Sequence, residues 1–323
     1  MTEAIHTVLT IFVLMGLGML LTHIGWIDET VSKFLSKFVI RVALPGTIVQ
    51  YMFANFTSPS ALTGLAAGLI PPVLALLIGI LLSRALIKPL GIPENRRGGF
   101  TVMFTFSNSV FIGLPVCNAI YGEASAAYTL TYYIANTVLF WTLGYAFMRR
   151  DGGGQSEKLS ARDIITKVIP LPLVFLAASI ILILCGVKLP AFVKSSAKYI
   201  GGTVTPLSLL YIGCCLMNMI KKRQLSWRRG YAAIIFGKFI IIPALVFAFI
   251  KLMSLNPALD AQLPKVLRQV LIMEAAMPIM TQTTIVESSC GGDAEYTAGA
   301  TALSTLLSFA VIPLYTYLID LFI

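Results

Sequence analysis

Apolar residues run through this chain in long stretches, separated by short clusters of charged residues, Gly, Pro and Asn, with little of the alternation that marks half-buried strands. Ten stretches have the length of a helical span, about 5–25, 30–53, 62–87, 98–121, 125–148, 164–186, 192–220, 229–253, 265–290 and 295–322, since a helix needs about 20 residues to cross hydrocarbon. The first is preceded by Glu3 and His6 and followed by Gly25 and Trp26. Without a basic leader or a small-residue cleavage site, it reads as a retained helix. The pattern predicts an all-α integral membrane protein with ten transmembrane helices.

Two runs are interrupted at corresponding places, the fourth at Ser107-Asn108-Ser109 through Gly113-Leu114-Pro115 and the ninth at Met277-Pro278. Hydrocarbon cannot solvate the backbone groups that a break exposes, so breaks persist only against protein or an aqueous cavity. Matched breaks in two halves point to a transport site. The halves are also alike in sequence. Lys37 precedes Pro45 by the same eight residues that separate Lys198 from Pro206, and Tyr121-Gly122-Glu123-Ala124 resembles Gly291-Gly292-Asp293-Ala294. An odd number of spans per half inverts the second, so the expectation is a five-plus-five inverted repeat: 1–148, a cytoplasmic linker 149–163, and 164–323.

Composition closes off other classes: 57% hydrophobic and 12% charged residues, with a mean hydropathy of +0.86, leave no room for a soluble domain. The net charge of +10 is unevenly distributed. Arg84, Arg96, Arg97, Arg149, Arg150, Arg228 and Arg229, with Lys33, Lys37 and Arg41, fall on one side of the predicted spans. Lys188, Lys194, Lys198, Lys251, Lys265 and Arg268 fall on the other. Basic residues are retained in the cytoplasm, which puts both termini on the non-cytoplasmic side of the cell membrane. The basic excess then reflects topology and attraction to anionic membrane lipid, and no nucleic-acid partner is expected. Cys117, Cys185, Cys214, Cys215 and Cys290 have no metal-ligand spacing, so no metal is expected. Only His6 and His23 are present, and no HExxH, GxSxG or Walker A motif occurs, which argues against an enzyme and against ATP hydrolysis. No cofactor is implied, and coupling to H+ or Na+ is left open.

Counting at about 1.5 Å rise per residue puts Asn108, Asn136, Lys238, Glu274 and Pro278 near mid-membrane. Ionisable groups there are costly unless paired or hydrated. Lys238 reads as a fixed cation that replaces a coupling ion or balances an anionic cargo, and Glu274 as a proton carrier. The plainer alternative is an ion pair that only staples helices, or a lysine snorkelling to the inner face. The second half-helices are predicted to begin near Ser109 and Ile279, presenting two N-termini, each worth roughly half a positive charge, to an anion. Ser107, Asn108 and Ser109 on one side, and Thr281, Gln282 and Thr283 on the other, can bond a carboxylate or cap freed backbone groups.

At these residues the chain resembles the auxin efflux carrier family, which includes plant PIN carriers and bacterial malonate and malate permease-like proteins. The motifs are Asn108-Ser109-Val110-Phe111-Ile112-Gly113-Leu114-Pro115, Ala275-Ala276-Met277-Pro278, Lys238 five residues before Pro243, and Asn136 ahead of Trp141-Thr142-Leu143. The resemblance covers essentially the whole chain. It implies a scaffold of helices 1, 2, 6 and 7, a transport domain of helices 3–5 and 8–10, and broken helices 4 and 9 crossing at the site. It further implies elevator movement, a small organic anion such as a dicarboxylate or aromatic carboxylate as cargo, and a homodimer formed through the scaffold. On that analogy Asn108, Asn136, Pro278 and the starts of the second half-helices bind cargo, with Thr47, Gln50, Ser208 and Tyr211 on the scaffold side. The linker is far shorter than in PIN carriers, and this simple layout resembles the prokaryotic branch; Ser107 stands where PIN carriers place a proline before the asparagine, a departure that argues against auxin itself as cargo. The competing class is a membrane sensor on a transporter fold that binds ligand without net transport. A channel is disfavoured because no ring-forming filter motif repeats.

Overall fold

The computed structural model of the chain describes residues 2–56, 63–153, 171–221 and 227–323. The predicted linker beyond 153, the start of the sixth span at 164–170 and the first residue of the third lie outside the described residues. Among the described residues there is no β-strand. In order the chain forms α1 (Thr2–His23), α2 (Glu29–Phe38), α3 (Leu44–Asn55), α4 (Thr63–Ile87), α5 (Arg97–Thr105), α6 (Leu114–Tyr121), α7 (Ser125–Leu139) and α8 (Tyr145–Asp151). Then come α9 (Leu171–Leu184), α10 (Ala191–Gly202), α11 (Val204–Lys221), α12 (Tyr231–Phe236), α13 (Ile242–Met253), α14 (Pro257–Asp260), α15 (Lys265–Ala275), α16 (Gln282–Cys290) and α17 (Ala294–Phe322).

Among the described residues four helices are long and apolar enough to cross a membrane: Ala66–Ile87, Ala191–Lys221, Tyr231–Met253 and Ala294–Phe322. Leu9–His23, Ser109–Tyr121 and Val174–Leu184 are shorter apolar helices. The chain is a multi-pass membrane protein.

Among the described residues four wide π turns interrupt the helices, at Val39–Ala43, Ser109–Gly113, Phe140–Gly144 and Gly237–Ile241. Three of them run directly into a helix with a proline in its first turn, Pro45, Pro115 or Pro243. A proline lacks an N–H and its ring collides with the carbonyl four residues back. The i to i+5 pattern of a π turn shifts that carbonyl away, so the helix continues past the proline instead of ending.

Packing divides the helices into two groups. α1 lies along α11, where a Cβ on Gly18 or Gly213 would overlap the main chain of the partner helix. Such small positions let membrane helices approach closely enough for backbone contact. α3 packs on α9 and α10, while α4 packs on α5, α7 and α13, α15 on α7 and α13, and α16 on α8 and α17. The groups meet where α11 touches the π turn at Ser109–Gly113 and where α3 touches α7.

Polar caps fix the ends of the second group. The Asp151 carboxylate accepts from Gly98 N at 2.7 Å and Gly99 N at 2.9 Å, closing the otherwise unsatisfied N-terminus of α5. Asp293 caps α17 through Tyr296 N at 2.8 Å and accepts from Arg96 Nε at 2.8 Å. At the other end Arg268 donates to Asp260, whose carboxyl is held below the usual range by the Ser254 hydroxyl and by the Arg268 charge.

Candidate functional site at the crossing of two interrupted helices

α5 stops at Thr105 and α15 at Ala275; the first break opens with Phe106 in extended form and the second with a turn at Ala276. The two non-helical segments meet in an isolated antiparallel bridge between Ser107 and Ile279, with Asn108 N donating to Pro278 O at 2.8 Å. Each backbone group freed by the breaks needs a partner, because a buried unpaired group costs about 1–3 kcal/mol. Asn136 supplies two of them for Ser107: its Oδ1 accepts from Ser107 N at 3.0 Å and its Nδ2 donates to Ser107 O at 2.9 Å. Its side-chain amide thus acts as a one-residue strand. Ile279 N donates to Ser304 Oγ at 3.1 Å, and Pro278 has no N–H to satisfy.

The carbonyl ends of both first half-helices converge on Lys238. Its Nζ donates to Ser107 Oγ at 2.5 Å, Ala275 O at 2.9 Å and Thr105 O at 3.4 Å, in a fully buried position on the π turn Gly237–Ile241. The negative ends of two helix dipoles therefore share one ammonium. Lys238 does not snorkel, and among the described residues no ion pair joins it to Glu274. Glu274 is also fully buried, but its Oε1 accepts from Cys117 Sγ at 3.6 Å and its Oε2 has no hydrogen-bond partner. Its carboxylate occupies the space where Gly113 would carry a Cβ.

The opposite ends of the breaks face a cavity of about 580 Å³. Asn108 caps the restarting helix, its Oδ1 accepting from Phe111 N at 3.3 Å. That bond fixes the amide, and leaves Nδ2 as a donor without a partner on a side chain only 2% exposed. The cavity is lined by Asn108, Ser109, Asn136 and Gln282, together with Arg41, Phe111, Tyr133, Thr137, Trp141 and Met280. Among the described residues no Asp or Glu lines it.

The other residues singled out from the sequence are distributed around it. Ser107, Pro278 and Ile279 build the bridge and do not line the cavity. The second helix restarts at Gln282, three residues beyond the expected Ile279, because the bridge and the bond to Ser304 hold Ile279 extended. Thr281 and Thr283 are buried hydroxyls without partners beside that restart. On the scaffold side the Tyr211 ring packs tilted against that of Phe111, centroids 4.8 Å apart, and so touches a residue of the cavity wall. Thr47 donates to Ala43 O at 3.1 Å and Gly201 O at 3.2 Å within the α3–α10 contact, where Gln50 also approaches Gly201. Ser208 is buried in α11. Thr47, Gln50 and Ser208 are not among the lining residues.

Arg41, Tyr133, Thr137 and Trp141 line the cavity although the sequence reading gave them no such role. Arg41 entered it only as a topological charge. The available signal was its depth, one helical turn beyond Lys37 and so farther into the membrane than an anchoring residue needs to be.

Comparison with known proteins gives a consistent picture. The family described as Membrane transport protein matches residues 3–316. An uncharacterized transporter of Methanocaldococcus jannaschii is 26% identical over 318 residues, covering 97% of each chain. An uncharacterized transporter of Methanothermobacter thermautotrophicus is 24% identical over 315 residues, covering 96% of this chain and 97% of its own.

Proposed function

Because the chain belongs to the membrane transport protein family, that of the auxin efflux carriers, we propose that it is a secondary transporter of a small organic anion working by elevator-type alternating access. The observation that carries this reading is Asn108, a residue lining the cavity beside the start of a half-helix, whose buried Nδ2 has no hydrogen-bond partner. A carboxylate there gains a charge-assisted hydrogen bond and the positive end of the helix dipole, while its tail lies against Phe111, Trp141 and Met280. A volume of about 580 Å³ suits a small-molecule site.

In this account ten spans form two inverted five-helix repeats. Support comes from the paired sequence motifs, and from interruptions at 106–108 and 276–281 that leave matching half-helices on either side. Helices 1, 2, 6 and 7 act as scaffold and dimer interface, and the rest slide past them. The two packing groups and the cavity between them favour that division. Lys238 stands between two helix C-terminal ends, the position a coupling cation would take, so the crossing is held without sodium. Glu274, buried with one oxygen unpartnered, is then the group available to carry a proton. The protein sits in the cell membrane with both termini outside.

The test is counterflow into liposomes of purified protein with radiolabelled malonate, malate and indole-acetate, with and without pH or sodium gradients. Accumulation of at least one of these against an internal pool of the same compound is expected. Saturable binding without flux would mean a sensor and would reject the transport reading.

A further inference from the structure

Arg41 lies on the π turn Val39–Ala43 and lines the same cavity as Asn108, Ser109 and Gln282. Its side chain is exposed, and among the described residues it has no hydrogen bond or ion pair. Among the described residues no carboxylate lines the cavity to balance its charge. An arginine serving only as a topological anchor would turn toward lipid headgroups and leave the cavity to apolar neighbours. A planar guanidinium on a residue that lines such a cavity is suited instead to a carboxylate, which it can hold through two parallel hydrogen bonds.

The two sides of the cavity belong to different packing groups. The turn that carries Arg41 packs against α9, α10 and α11, whereas Asn108, Asn136 and Gln282 sit on segments tied through α7, α8, α15 and α17. If these groups slide past one another, as the proposed function holds, Arg41 and Asn108 share a cavity in one end state only. In the proposed orientation Arg41 lies between Lys37 and mid-membrane, and Trp141 between Asn136 and Arg149, so that state opens toward the cytoplasm. We propose that Arg41 is a specificity-determining residue that holds the anionic cargo in the cytoplasm-facing state and releases it when the site moves to the other side.

The experiment uses right-side-out and inside-out membrane vesicles containing wild type, Arg41→Gln or Arg41→Lys, with radiolabelled malonate, malate and indole-acetate over a range of concentrations. For each compound that the wild type moves, Arg41→Gln is expected to raise the half-saturating concentration at the cytoplasmic face about tenfold, and to leave the outer face unchanged. Arg41→Lys, which keeps the charge without the fork, should fall between the two. An equal shift at both faces, or no shift at either, overturns the inference and leaves the transport reading intact. A wild type that moves none of the three compounds in either orientation sinks the transport reading itself. Protein amount and size-exclusion profile separate a binding defect from misfolding, and Arg41→Lys remains informative if the glutamine variant is poorly inserted.

Discussion

Lys238→Met isolates what holds the crossing together. Methionine keeps most of the volume but donates no hydrogen bonds. The change leaves Thr105 O without its 3.4 Å donor and takes the 2.9 Å donor from Ala275 O, which keeps only a 3.4 Å bond from Ser107 Oγ, both at buried helix ends. At about 1–3 kcal/mol for a buried group that loses its donor, and with both groups counted toward the low end, the loss is roughly 2–4 kcal/mol. Opposing it is the relief of removing a desolvated charge, which in other buried sites makes apolar replacement neutral or even stabilising. The former wins here because the ammonium also sits at the negative ends of two helix dipoles, which methionine leaves facing each other. Thermal unfolding of the purified protein in detergent, followed by size-exclusion chromatography, should show a clear drop in midpoint, and liposome uptake should fall to background. Lys238→Gln, which keeps donors without charge, should recover part of the stability. A Lys238→Met variant as stable and as active as wild type would show that the crossing does not depend on the ammonium.

The broken helices were legible in the sequence because the signals are local. Ser107, Asn108 and Ser109 are poor continuations of an apolar helix, and Pro278 cannot donate in one. Three of the four π turns have a comparable local mark in the proline that follows, but Phe140–Gly144 has none. The helical membrane class and the family followed from apolar run length and from the order of the motifs. What remained hidden depends on how helices rotate about their axes. Depth placed Asn136 and Lys238 near mid-membrane, yet only the packed structure turns one toward the backbone of Ser107 and the other toward two helix ends. Glu274 lies at a similar depth to Lys238 but on a different face, against Gly113 and Cys117. Thr47 and Gln50 follow a scaffold proline as expected, and their side chains are taken up by the neighbouring α10 instead of the cavity.

Asn136→Ala removes both bonds to Ser107 and should destabilise the protein by about 2–4 kcal/mol, read as a lower unfolding midpoint; an unchanged midpoint would mean the bridge needs no brace. Gly113→Val should reduce folded yield, because any Cβ there meets the Glu274 carboxylate, and pairing it with Glu274→Ala should restore yield if that overlap is the cause. Glu274→Gln should keep counterflow, which needs no gradient, and lose any stimulation of uptake by a pH gradient; retained stimulation would assign the proton to another group.

The most direct measurement compares wild type with Asn108→Ala in the same liposome counterflow assay. Removing this cap should cost about 0.5–2 kcal/mol, leaving a folded, monodisperse protein. The variant is expected to accumulate none of the carboxylates that wild type moves, since it loses the Asn108 amide donor and the order that side chain imposes on the helix start. Near-normal accumulation by well-folded Asn108→Ala would contradict this expectation.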